Sequence, residues 1–217
     1  MAAAAMIVPD LPALLALDAG ALAIDMPIGL MDAPGDPRPA DRGARAFLSR
    51  LNTAGVRAPG SRVFASPARV HLDVIRAGGG YRGLLERFPP GQRLSKQCFN
   101  ICDRIIALDD LGPETHEGRI WEVHPEVVFA ALAGRTLAPK KSPEGRRARQ
   151  IVLAALGFDL DALGAALGNR SRRWNPDDLF DACAAAWSAG RIAQGRHATL
   201  PRPPDRDSRG HRMAIHY

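Results

Sequence analysis

A short apolar run that ends in an acidic residue constrains the fold of this chain most. Residues 21–25 read ALAID and are followed directly by Met26-Pro27-Ile28-Gly29. A continuous apolar segment of this length, closed by Pro and Gly, is typical of a buried strand whose end opens into a loop. The segment therefore favours an α/β fold, with Asp25 at the carboxyl end of a strand, where α/β sheets place ligand-binding groups.

The other patterns along the chain predict helices around a small sheet. A second short strand is predicted over 119–126, where Pro125 ends it, and a small terminal strand over 213–217. We expect loops over 31–42 and 52–62, an extended stretch over 63–67 and coil over 200–212. Helices are predicted over 10–20, 41–51, 94–108, 126–132, 144–156 and 177–194. One domain over 1–217 is expected, with 30–118 partly an inserted helical and loop region.

Composition indicates a reduced, cytoplasmic protein with some preference for polyanions. The three cysteines (Cys98, Cys102, Cys183) lack the spacing of a disulfide framework or a zinc ribbon. No apolar run approaches the roughly 20 residues of a membrane span. The formal net charge is +6, and only three of the 29 basic residues are lysine. Clustered basic residues favour phosphate partners, and the clusters are Lys140-Lys141, Arg146-Arg147-Arg149 and Arg170-Arg172-Arg173.

Three groups of acidic residues stand at predicted element ends. Asp25 follows the first strand, Asp177, Asp178 and Asp181 open the last long helix, and Glu122 and Glu126 bracket His124-Pro125. For Asp25 the alternative is a turn or cap, and for Asp177 it is compensation of the helix dipole. The alternative for Glu122 and Glu126 is one capping and one solvated glutamate. Asp181 lies deeper in an apolar helix, where an inward-facing carboxylate needs a partner or a cation.

Such carboxylates are suited to hard divalent cations. Mg²⁺ takes oxygen ligands, typically one or two carboxylates together with substrate phosphates. A pair of such ions stabilises both the attacking and the leaving oxygen of a phosphodiester displacement. Asp25, Asp178 and Asp181 are therefore candidate ligands of Mg²⁺ or Mn²⁺.

Seven motifs in one order resemble the domain-of-unknown-function 429 family over roughly residues 20 to 217. They are IDMPIGL (24–30), an R-x₂-D-R-x₂-R-like stretch (38–45), VFASPAR (63–69), SKQ (95–97), EVHPEVVF (122–129), KKSPEGRRAR (140–149) and DDLFDACAAAWSAGR (177–191). The family is predicted to consist of nucleases of ribonuclease H-like fold. The resemblance implies a mixed sheet flanked by helices and a carboxylate cluster for Mg²⁺ or Mn²⁺.

Carried over residue by residue, the resemblance assigns roles to ten positions. It implies catalytic roles for Asp25, Asp178, Asp181, His124 and Glu126, and the three aspartates would also bind the metal. Lys140, Lys141, Arg146, Arg149 and Gln97 are the candidate substrate contacts, since arginine suits bidentate phosphate binding. The alternative for the basic stretch is a solvated helix face, and for Gln97 a polar residue that caps a turn.

The front of the chain departs from the family pattern. Members of the family usually begin with a Gly- and Asp-containing strand, followed by a second strand in a hairpin, and no such strand precedes Ile24. A misplaced start codon, a truncated chain and a genuine variant all explain this. We expect impaired activity from the lost first carboxylate. We also expect an exposed sheet edge at 21–25, which a homodimer is able to cover.

The resulting prediction is a metal-dependent nuclease acting on nucleic-acid phosphodiesters. One alternative is a non-catalytic nucleic-acid- or protein-binding module of the same fold. Another is a hydrolase of a phosphorylated small molecule that uses the same carboxylates and arginines. Aromatic residues make up only 6% of the chain, which argues against broad recognition by base stacking.

Overall fold

The computed structural model describes residues 3–168 and 174–217. The predicted basic cluster Arg170-Arg172-Arg173 lies outside these described residues. Strand β1 (Leu22–Ile24) pairs in parallel with β2 (Ile120–Glu122), and β3 (Thr199–Arg206) pairs antiparallel with β4 (Arg212–His216). A parallel bridge between Val123 and His216 joins the two pairs. The strands therefore follow one another in space as β1, β2, β4 and β3.

Helices surround these strands in the described part of the chain. They are α1 (Leu11–Leu15), α2 (Pro39–Arg50), α3 (Arg69–Arg76), α4 (Gly80–Arg87), α5 (Lys96–Phe99), α6 (Cys102–Asp109), α7 (Pro113–His116), α8 (Pro125–Ala133), α9 (Pro143–Ala155), α10 (Leu160–Ala166) and α11 (Pro176–Ala193). The α/β class predicted from the sequence is confirmed. No helix of the described residues is long and apolar enough to cross a membrane.

Local sequence signals explain where the three helices nearest the site begin. Ser142 caps α9 by accepting from the Gly145 amide, and proline occupies the first position of α8, α9 and α11. Proline suits that position because its missing N–H would have no helical partner there. Helix α8 ends at Gly134, whose φ of 65° is a left-handed conformation that glycine adopts without strain.

Separate apolar clusters hold the helices to the sheet. One joins α8, α9, α10 and α11 around Phe129, Leu153 and Phe180, and another joins α2, α8 and β4 around Leu48, Val127 and Ile215. A third cluster lies within α3, α4, α5 and α6, around Leu72, Leu84 and Ile105. Helix α2 thus belongs to the sheet-covering core, whereas residues 69–109 build a core of their own.

Several predicted elements differ from the structure. The coil predicted over 200–212 is wrong, because residues 199–206 form β3. The pairing shifts between Leu200 and Asp205, so Pro201, Pro203 and Pro204, which cannot donate to a ladder, lie in the irregular part. The helix predicted over 94–108 is two helices, α5 and α6. The predictions did not include α3, α4, α7 or α10.

The edge of β1 opposite β2 pairs with no strand among residues 3–168 and 174–217. Residues Leu14, Leu15 and Ala19 of the preceding segment pack on the apolar cluster beside β1. The homodimer that would cover this edge stays a prediction.

Candidate functional site: a carboxylate cleft at the end of the parallel strands

Asp25 lies where the two parallel strands end. It follows β1 directly, and the Val123 amide at the end of β2 donates to the Ile24 carbonyl at 2.9 Å. Because parallel strands end at the same edge of a sheet, Asp25 and His124 both line one cleft. The cleft is lined by Asp25, Met26, Pro27, Arg38, Asp41, Val63, Phe64, Ser66, Glu122, Val123, His124 and Ile215.

Helix α11 brings a second carboxylate to this region. It packs against β1 and α8, and Asp181 lies one turn into the helix with its side chain 18% exposed. The Lys140 ammonium donates to Asp181 Oδ2 at 2.8 Å. Lys140 also interacts electrostatically with Asp25 and Glu126. Burial alone would lower the pKa of Lys140, but these carboxylates outweigh it and raise the pKa.

The Asp25 and Asp181 carboxyls resist ionisation. Loss of hydration raises the pKa of Asp25 to about 6, against the attraction of Lys140 and with the repulsion of Glu126. Asp25 is exposed to solvent at the cleft, whereas the Asp181 side chain is largely buried. Loss of hydration also raises the pKa of Asp181 to about 6, opposed by Lys140 and reinforced by Asp25 and Glu126. One lysine therefore compensates two carboxylates only in part.

Glu126 lies at the start of α8 and is already neutralised by two arginines. It accepts from Arg62 Nη1 at 2.7 Å and from Arg149 Nη2 at 2.5 Å. The assignment of Arg149 as a phosphate contact is wrong: its side chain is 1% exposed, and it also donates to the Ala138 and Gly145 carbonyls. The face of α9 that carries Arg149 points into the core, so this arginine positions Glu126 instead.

His124 precedes α8 and keeps a neutral imidazole. Burial lowers its pKa, against the raising effect of Glu126, Glu122, Asp41 and Asp181. Its Nδ1 atom is buried and has no hydrogen-bond partner among the described residues. A neutral imidazole beside carboxylates is able to accept a proton or to bind a cation.

A buried ion network anchors the loop that follows Asp25. Arg38 Nη1 donates to the Ile28 and Gly29 carbonyls, at 3.0 and 2.9 Å. Its guanidinium also pairs with Glu122 at 2.7 Å and with Asp41 at 2.6 Å. Glu122 also accepts from the Ile28 amide at 2.7 Å. It therefore has neither of the alternative roles considered from the sequence, those of a helix cap and of a solvated glutamate. Loss of hydration raises the pKa of Glu122, whereas the Arg38 charge lowers it.

Other predicted site residues lie elsewhere in the structure. Gln97 is exposed on α5, a helix that packs in the apolar cluster of α3 to α6. Lys141 is exposed and makes no ion pair with a described residue. Arg146 is also largely exposed, with its Nε 3.8 Å from Asp177 Oδ1. Asp177, in the first turn of α11, has a side chain that is 18% exposed, as is that of Asp181.

Asp178, another predicted metal ligand, caps the start of its own helix. Its carboxylate accepts from the Asn175 amide at 2.8 Å, and Asn175 Oδ1 accepts from the Asp177 and Asp178 amides. This reciprocal capping satisfies amides at the helix start. Asp178 is exposed and borders an apolar groove beside Phe158 and Trp174.

We expect Asp178→Ala to destabilise the protein by about 0.5–1 kcal/mol without changing cation affinity, because its carboxylate is engaged in capping α11. Urea denaturation and calorimetric Mn²⁺ titration measure the two quantities. A loss of Mn²⁺ affinity comparable with that of an Asp181 variant would return Asp178 to the site.

A second acidic group has metal-like geometry but a structural role. Asp109, Asp207 and His211 place ligand atoms within 4.8 Å of one another. Arg69 donates to Asp109 at 2.9 Å and to Asp207 at 2.5 Å, and Arg209 donates to Asp109 at 2.9 Å. Two guanidinium groups thus offset the two carboxylates, which leaves no negative charge for a dication. The group ties α3 and α6 to the turn between β3 and β4.

Neither arginine network has an isolated signal in the amino-acid sequence. Arg38, Asp41 and Arg69 stand inside the motifs at 38–45 and 63–69, but their partners lie far away in the chain. The residues around an arginine in an Ala- and Pro-rich segment do not indicate whether its side chain is buried. These networks become visible only when the three-dimensional contacts of the arginines are known.

The fold and the cleft define an α/β protein with a partly compensated carboxylate pair at the carboxyl ends of parallel strands. The chain matches the family described as "Protein of unknown function (DUF429)" over residues 2–206 and belongs to that family. It is 30% identical over 95 residues to the protein "Glucose-6-phosphate 1-dehydrogenase gcd1" of Schizosaccharomyces pombe (strain 972 / ATCC 24843). That similarity covers 43% of this chain and 20% of the relative, and no solved structure matches the chain.

Proposed function

We propose that this protein is a divalent-cation-dependent nuclease with a ribonuclease H-like arrangement. The observation that carries the proposal is the pair formed by Asp25 and Asp181, which one lysine bridges electrostatically at the end of β1. A mixed set of strands flanked by helices supports the fold assignment. So does the placement of one carboxylate on a strand end and another on the last helix, as the family resemblance implies.

The donor set fits Mg²⁺ or Mn²⁺. Asp25 and Asp181 offer oxygen ligands, and loss of hydration raises the pKa of both to about 6, which the single Lys140 ammonium offsets only in part. These two aspartates would hold the cation. When bound, a divalent ion polarises a phosphate oxygen and stabilises the charge of the displacement.

The remaining residues of the cleft have separable tasks. His124 stays neutral and is able to accept the proton of an attacking water. Arg62 and Arg149 fix Glu126 beside it, and the Arg38 network fixes the loop after Asp25. Lys141 and Arg146 are exposed after Lys140 and contribute positive charge for the phosphates of a nucleic acid.

The direct test is cleavage of DNA and RNA oligonucleotides, single- and double-stranded, with Mg²⁺, with Mn²⁺ and with chelator. We expect cleavage only with a divalent ion, and we expect ion affinity to fall as pH drops through 6. The sign follows from the raised pKa values, because a protonated carboxyl cannot bind a cation. Mn²⁺ affinity at pH 5 should be about tenfold weaker than at pH 7 for each carboxylate that must ionise.

Calorimetric Mn²⁺ titration at both pH values provides the control, because it reports on the ion without any substrate. Ion-independent cleavage would contradict the proposal. Salt-sensitive nucleic-acid binding without cleavage would favour a non-catalytic binding module. Hydrolysis of phosphorylated small molecules alone would favour the small-molecule hydrolase.

A further inference from the structure

Three aromatic rings form a cluster on the other side of β2 from Glu122. Trp121 of β2, His216 of β4 and His197, which precedes β3, lie with ring centroids 4.8 to 5.3 Å apart. Each pair meets edge to face, at interplanar angles of 61° to 90°. Because side chains alternate along a strand, Trp121 points away from the face that carries Ile120 and Glu122. We refer to Trp121, His197 and His216 as the ring triad.

The ring triad contains polar atoms that form no hydrogen bond with the described residues. Trp121 Nε1, His197 Nδ1 and His216 Nδ1 are buried and have no hydrogen-bond partner among residues 3–168 and 174–217. His216 is 3% exposed, so its side chain is almost wholly buried. A buried polar group without a hydrogen-bond partner destabilises the folded protein. The triad therefore has hydrogen-bonding capacity that no described residue uses.

Positive charge surrounds these atoms. The Arg212 guanidinium lies 5.5 Å from the centroid of the Trp121 ring, and the Arg191 guanidinium lies 4.9 Å from that of Trp187. Arg191 Nε is buried and also lacks a partner in the described part of the chain. Burial, and then the charges of Arg212 and Arg191, lower the pKa of His197.

One carboxylate lies near this positive charge but does not cancel it. Burial, and to a smaller extent His197 and Arg212, lower the pKa of His216 to about 3, so its imidazole is neutral. The Glu117 carboxylate lies 3.7 Å from Arg212 but already pairs with Arg206 at 2.5 Å. The Glu117 carboxylate is thus shared between two arginines.

The chemistry of the unpartnered atoms selects the kind of ligand. The indole N–H of Trp121 and the guanidinium N–H of Arg191 are only able to donate, so their partner must accept. Two arginines repel a metal ion and attract an anion. We infer that the ring triad, together with Arg191 and Arg212, binds an oxyanion of the phosphate type. Trp121, His197 and both arginines are half-buried, which leaves a route from solvent.

The probe is inorganic phosphate, titrated into the full chain without any divalent cation. Indole and imidazole NMR signals report binding at the ring triad itself. Arg212→Gln and Trp121→Phe should each weaken binding about tenfold, the effect of losing one charge-assisted hydrogen bond. Trp121→Phe keeps a ring in place and removes the N–H. Arg82→Gln is the matched control, because Arg82 is 91% exposed and pairs only with Glu86 among described residues.

Arg212→Gln is informative even if Trp121→Phe unfolds, since Arg212 is half-buried and its loss opens no apolar cavity. A second arm replaces inorganic phosphate by a short oligothymidylate. Shifts with both probes assign the site to backbone phosphates, and shifts with inorganic phosphate alone assign it to free phosphate or a phosphomonoester. Overturning results are unchanged triad signals with both probes, which would leave the nitrogens to water, or equal affinities in all three variants.

Discussion

Replacing Asp25 or Asp181 by asparagine is expected to lower ion-dependent cleavage by about two orders of magnitude or more. Each substitution keeps the size of the side chain and removes one charged oxygen ligand. The loss should appear in Mn²⁺ affinity as well as in the cleavage rate, because the two carboxylates would hold the cation. Calorimetry on the purified variants separates this effect from any change in substrate binding.

Asp177→Asn is the matched control for Asp181→Asn. Asp177 lies on the same helix, one turn earlier, and its side chain is equally exposed at 18%. Its ion-pair partner among the described residues is Arg146, at 3.8 Å, rather than Lys140. We expect this variant to retain Mn²⁺ affinity and cleavage. Equal losses in the Asp177 and Asp181 variants would show that the site does not include Asp181 specifically.

The second large effect is expected on stability. Arg38→Met should lower the free energy of unfolding by about 3–5 kcal/mol, because it leaves the buried carboxylates of Glu122 and Asp41 without their cation. Arg38 is 2% exposed and its guanidinium bonds both carboxylates and two loop carbonyls. Urea denaturation at pH 7 measures the loss.

The pH dependence of that loss identifies its cause. Without Arg38 the pKa values of Glu122 and Asp41 rise in the folded protein, so the folded variant keeps protons that the unfolded chain releases. The destabilisation should therefore shrink as the pH falls from 7 towards 4. Arg82→Met, which removes an exposed pair with Glu86, should change stability by less than about 1 kcal/mol. A small or pH-independent loss in Arg38→Met would contradict the charge argument.

These two expected results connect the fold to the chemistry of the cleft. Asp25 begins the loop whose Ile28 and Gly29 carbonyls are held by Arg38, and Glu122 ends the strand that pairs with β1. The buried network thus fixes the backbone on both sides of Asp25. Cleavage requires positioning as well as ligands, so a loosened loop should also reduce the rate of Arg38→Met.

The ring triad extends the chemistry of β2 to its other face. Glu122 supports the carboxylate cleft, whereas Trp121, the preceding residue, belongs to the positively charged cluster. An anion site beside a cation-binding cleft would suit a substrate that carries several phosphates. The two sites are tested separately, because phosphate titration needs no divalent ion and Mn²⁺ titration needs no phosphate.

Local sequence signals predicted the elements that carry the site. These signals are the apolar run before Asp25, Pro125 after the second strand and Asn175-Pro176 before the last helix. Each one affects only residues a few positions away in the chain. Such signals do not depend on the rest of the fold, because a proline removes an N–H and a capping side chain reaches only two or three residues. The same signals failed at 200–212, where β4 supplies the partner that makes a proline-rich segment a strand.

The sequence by itself thus determined the class of fold, the family motifs and the strand that ends at Asp25. Only the tertiary structure separated Asp181, beside Lys140, from Asp178, which caps its own helix. It also placed Arg149 in the core rather than on a phosphate. The physical reason is that a charged side chain has the same letter whether it is solvated, paired or buried. Its role is decided by groups that are distant in the chain, as Glu126 is from Arg149 and Lys140 is from Asp181.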